Sequence, residues 1–190
     1  MLQLNFDCKP NASLEIRLGT YRYQRFWEEH SVEILQSFKQ RTGLDFAQRR
    51  ITVRGIDEPT SRAGNPHQPM ELTIHRVEMP KVGVNLLHEL AHRLVIGNGI
   101  DSDARHWSYL CHCHIDLFLY DVWADVLGKD AAEAALEAER NNGYPTYRKA
   151  WDWALAKTPD ERRRTLERLK RKAAERAPKP SAAARKSTGV

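Results

Sequence analysis

The stretch from Val82 to Ile96, VGVNLLHELAHRLVI, constrains the fold more than any other. Read as a helix, it is apolar on almost every face, with Val82, Val84, Leu86, Leu87, Leu90, Leu94 and Val95 spread around it. A helix that is hydrophobic all round belongs in an interior, covered by other elements. Yet this one carries His88, Glu89 and His92 in its middle. Two imidazoles and a carboxylate are costly to bury unless they are paired or metallated. The rest of the chain must therefore supply both a cover for the helix and partners for these side chains.

The cover is legible in the flanking patterns. TYRYQRFWEEHSVEILQSFKQRT, residues 20 to 42, has helical spacing, and Gly43 stops it. ITVRG at 51–55 and MELTIHRV at 70–77 alternate as strands do, with a Pro/Gly/Asn-rich loop at 57–69 between them. Pro80 suits the start of the Val82–Ile96 helix, and Gly97, Asn98 and Gly99 end it. Asp101, Ser102 and Asp103 offer caps for a long helix over 104–127, whose lower half IDLFLYDVWADVL should lie deep. KDAAEAALEAER (129–140) and TYRKAWDWALAK (146–157) follow as helices. Thr158 and Pro159 open a basic helix to about Ala177, and residues 178–190 have the composition of a disordered tail. One helix, two strands and then four or five helices describe an α+β chain. It is mostly helical, with a small sheet packed on the histidine-bearing helix, and not doubly wound. Residues 1–157 are expected to form one domain, followed by the basic helix (158–177) and the tail.

Charge is unevenly placed. The net charge is +5, but twelve basic and four acidic residues lie from Lys157 onward, so the body holds 18 basic against 21 acidic residues. Nucleic-acid contact would have to come from the C-terminal segment. ERRRTLERLKRKAAER carries charge on most faces and shows no base-reading pattern, so a solvated helix is the plainer expectation. No run of eighteen apolar residues is present and the N-terminus lacks a secretory pattern, so a cytoplasmic protein without a membrane span is expected. Three cysteines, Cys8, Cys111 and Cys113, do not make a disulfide framework.

On a helix, residues four apart share a face, so His88 and His92 can turn ring nitrogens to one ion. Zinc favours such ligands, and H-E-x-x-H is the motif of zinc-dependent peptide hydrolysis. Glu89 would sit beside the ion, not on it, and act as general base toward an attacking water. A catalytic zinc needs a third protein ligand. His106, His112 and His114 are the candidates, with Asp121 and Asp125 as carboxylate alternatives. Neighbouring residues in CHCH (111–114) diverge by about 100° on a helix, so they cannot close around one ion; two small buried thiols are expected instead. Tyr144, Tyr147, Trp151 and Trp153 are expected mainly to pack a terminal helix, although a tyrosine at the site could stabilise an oxyanion. Arg93 is expected to hold an acid or substrate near the site, or to lie on the surface.

The strand MELTI, then His88, Glu89 and His92, then a helix with further histidines, resembles the HExxH zincin metallopeptidases over roughly residues 70–127. The resemblance implies Zn2+, peptide or protein substrates, and a strand edge on MELTI to which an extended substrate adds. The position of His106 resembles the third ligand of SprT-like proteases. HCHIDLFLYDVWADVLG resembles a segment of uncharacterised bacterial and phage zincin-like proteins, in which a histidine precedes the apolar run. That register favours His112 first, then His106, then His114, with Asp116 orienting His112. The resemblance also admits a zincin fold that binds or regulates without cleaving, with nucleic acid as a partner of its basic segment.

Overall fold

The computed structural model describes residues 2–76, 80–101 and 109–176. The chain begins with a short strand, β1 (Gln3–Phe6), which the sequence reading passed over. Helix α1 (Leu14–Thr42) then crosses to β2 (Arg50–Ile56), and β3 (Met70–Thr73) completes a three-stranded parallel sheet of order β1-β2-β3. Ser13 caps α1 by accepting the Ile16 N–H, and Gly43 closes it in the left-handed region at φ 67°. The predicted 70–77 strand is shorter than expected, because Ile74–Arg76 coil into a single 3-10 turn. Val77 lies outside the described residues.

Helix α2 (Lys81–Gly97) is the central element, and every side chain from Leu86 to Val95 is buried. It packs on α1, β3, α3 (Tyr109–Asp116), α4 (Leu119–Leu127) and α5 (Lys129–Arg140). Each buried leucine on it contributes about 1.5–3 kcal/mol of apolar transfer. Gly83 permits a close crossing: a Cβ there would stand 2.5 Å from Leu127 and 2.7 Å from Phe26.

The long helix predicted over 104–127 is two helices where it is described. Leu117 and Phe118 break it, and the Phe118 N–H turns back to the Ile115 carbonyl at 3.0 Å. The break lets Leu117, Phe118, Leu119, Val122 and Trp123 all reach the core, which a straight rod could not do. Residues 102–108, where the helix was expected to begin, lie outside the described residues.

Helices α6 (Pro145–Leu155) and α7 (Pro159–Arg176) close the molecule. The basic helix α7 is not charged on every side. Leu166 and Ala173 join the same core as α2, Lys170 donates to the Thr42 carbonyl, and Arg162 pairs with Asp121. The expected tail lies outside the described residues. Among the described residues, no helix is long and apolar enough to cross a membrane.

Candidate metal centre

His88 and His92 lie one helical turn apart on α2, and their rings face one another across 4.9 Å between centroids. His112 comes from the middle of α3, with its ring centroid 5.1 Å from His92 and 5.6 Å from His88. All three are buried, and each offers a ligand nitrogen within 4.8 Å of the others. These three histidines could hold a metal ion. His114 faces elsewhere, with Nδ1 3.9 Å from Asp101, and burial pulls its pKa down. His106 lies outside the described residues. Asp121 and Asp125 are engaged by Arg162 and by Arg41 with Ser37, away from the histidines.

The outer partners of the rings set which nitrogen faces inward. Nδ1 of His88 sits 2.7 Å from Glu139 Oε1 on α5. The other Glu139 oxygen accepts the Trp151 indole N–H at 2.9 Å. Burial works to raise the pKa of Glu139, but the charge and contact of His88 and the Trp151 bond hold it below the usual carboxylate value. Glu139 is thus the carboxylate contact at His88 Nδ1, the kind of outer partner that orients a ligating imidazole. His92 Nδ1 lies 3.1 Å from the Cys111 sulfur. Burial pushes the Cys111 thiol far up, and its hydrogen bond to Asp101 adds to this, so it stays a neutral thiol. The thiol thus lies between Asp101 and His92 Nδ1.

With Glu139 and Cys111 beside the Nδ1 atoms, the Nε2 atoms of His88 and His92 are the pair turned toward each other. Those two Nε2 atoms are only 3.1 Å apart. Two imidazole nitrogens this close in a buried site either share a proton or hold a cation between them. With zinc–nitrogen bonds of about 2.0–2.1 Å in tetrahedral geometry, two ligand nitrogens stand about 3.3 Å apart. The donor set and its spacing fit a divalent ion that favours imidazole.

A cavity of about 450 Å³ opens onto this group between α2, α5 and the start of α6. Glu89 lines it beside His88 and His92 and is itself buried. Tyr147 also lines it, with its ring centroid 4.0 Å from that of His112, so this tyrosine reaches the site; Trp153 serves packing, and Trp151 both packs in the core and donates to Glu139.

Three expectations are corrected. Asp116 does not orient His112: it is 1% exposed, and among the described residues neither carboxylate oxygen has a hydrogen-bond partner. Arg93 is not on the surface but buried, donating to the carbonyls of Asn65 and Gln68 and to Gln48, so it fastens the loop that precedes β3. The edge of β3 is closed. Glu71 exchanges both backbone hydrogen bonds with Arg62 at 2.8 Å, the Thr73 N–H goes to Ser61, and the Thr73 carbonyl accepts from Tyr23.

Glu139 is the functional contact that the sequence reading missed. A signal was present: the buried positions of α5 are Ala132, Ala135 and Glu139, an acid on an otherwise alanine face. Compared with known proteins, the chain matches no family model, no curated protein and no solved structure.

Proposed function

We propose that the chain is a zinc-dependent hydrolase of the metallopeptidase type, with His88, His92 and His112 holding the ion and Glu89 as general base. The observation that carries the metal assignment is the convergence of three buried histidines, each with a ligand nitrogen within 4.8 Å of the others and the Nε2 atoms of His88 and His92 3.1 Å apart. Bound zinc would supply Lewis acidity toward a carbonyl and make a water molecule acidic at neutral pH. Glu89, one residue round the helix from His88, takes the proton that the attacking water gives up and returns it to the leaving amine. Glu139 and Cys111 hold the two α2 imidazoles in their ligating tautomers. Burial keeps bulk water from competing for these contacts. The phenol of Tyr147, in the same cavity, is placed to donate to negative charge that develops on a carbonyl oxygen.

The second reading is a metal-binding module that does not cleave, with nucleic acid as a partner of the exposed basic face of α7. The closed β3 edge favours it, since the usual platform for an extended peptide is occupied. Glu89→Gln separates the two. For a hydrolase, the variant keeps its zinc and loses cleavage of a peptide panel by about 10²–10⁴-fold. Equal zinc content with no cleavage by either protein leaves the module.

A further inference from the structure

The closed strand edge and the open cavity meet at Ser61 and Asn85, which lock the edge and also line the cavity, and together they restrict what can reach the metal centre. Every outward backbone group of β3 at Glu71 and Thr73 is already bonded within the chain. The lock is carried by α2 itself. Asn85, one turn before Glu89, donates to the Tyr23 hydroxyl at 2.7 Å and to the Ser61 hydroxyl at 2.8 Å. Those are the two side chains that occupy Thr73. An arriving strand would have to break this buried network before pairing, leaving polar groups without partners.

The space beside the histidines is of another kind. Ala131, Ala134, Ala135 and Ala138 of α5 give the cavity an apolar wall, while His88, Glu89, His92 and Glu139 line it at the metal group and Ser61 and Asn85 line it toward β3. Methyl groups are what leave the cavity open, because larger side chains at Ala134 or Ala138 would fill it. A volume of about 450 Å³ lies in the range of small-molecule sites.

We propose that the centre takes a compact substrate and not an extended chain. The substrate carries an amide or comparable carbonyl group at the metal end and an apolar group, of aromatic or short-alkyl size, against the α5 alanines. This rests on the metal reading above and adds the substrate class to it. Full-length zinc-loaded protein would be titrated calorimetrically with acetohydroxamic acid and with 3-phenylpropanohydroxamic acid, which share a metal-binding head and differ in the apolar tail. The tail should tighten binding tenfold or more. Ala134→Phe, at an exposed cavity position, should abolish that gain while leaving zinc content, melting temperature and acetohydroxamate affinity unchanged; Ala138→Leu serves as a second variant with the same expectation. A tail that brings no gain, or a gain that survives both substitutions, overturns the proposal and leaves the metal reading standing. An extended octapeptide hydroxamate that binds more tightly than the phenylpropano compound and ignores both substitutions also overturns it. Failure of the protein to take up zinc removes the metal reading and this proposal together.

Discussion

Glu139 and Cys111 contact the outer nitrogens of the two α2 imidazoles, and their removal should be felt at the metal before it is felt in the fold. Glu139→Gln should weaken zinc affinity by about 10–100-fold, read by competition with a chromophoric chelator. Cys111→Ala should act in the same direction through His92, and less strongly, because a thiol is a weak acceptor. Asp116 is a different case. Burial, with the nearby charge of Glu139, raises its pKa well above the usual value. A raised carboxyl pKa means that the unfolded chain releases its proton first as pH rises. The cost is absent below the unfolded value of about 3.9 and grows until the folded pKa is passed. Asp116→Asn should therefore raise the melting temperature at neutral pH and lose that advantage near pH 3, by thermal unfolding across the range. The His88–His92 pair was readable from spacing alone. Asp116 was misjudged because proximity on the helix, one turn from His112, does not fix where a short side chain points.

At the scale of elements, the sequence was most informative where one helix was both apolar and punctuated. The span of α2, its terminators and its depth all follow from VGVNLLHELAHRLVI. The basic helix α7 and the alanine-rich α5 were also placed to within a residue or two at each end. β1 was missed because four residues, QLNF, are too few to show a period, and only the α1 crossover gives them a partner. The break at Leu117–Phe118 has no Gly or Pro to announce it. It arises because IDLFLYDVWADVL is apolar on more faces than a straight helix can bury against one neighbour. The closed edge of β3 depends on Ser61 and Tyr23, which are far from it in sequence. Arg93, buried with its pKa pulled down to about 10, ties α2 to the loop that carries Ser61 toward β3. Arg93→Met should leave the Asn65 and Gln68 carbonyls unsatisfied and cost about 1–3 kcal/mol in denaturant unfolding, with the melting temperature falling accordingly. Gly64, in the same loop at φ 67°, would bring a Cβ within 2.6 Å of the Pro69 carbonyl oxygen, so Gly64→Ala should destabilise as well.

At the scale of the whole molecule, distant segments converge on one buried helix. α3 supplies His112, α5 supplies Glu139, and α6 supplies Tyr147 and the indole that steadies Glu139. α7 seals the far side through Leu166 and Ala173. The convergence of three imidazoles on one point is the claim on which the rest depends. Zinc stoichiometry of the purified chain, measured by plasma emission after exhaustive dialysis, tests it most directly when His112→Ala and His114→Ala are compared side by side. One equivalent of zinc is expected in the parent and in His114→Ala, with loss in His112→Ala. Retention of a full equivalent by His112→Ala, or none in the parent, would contradict it.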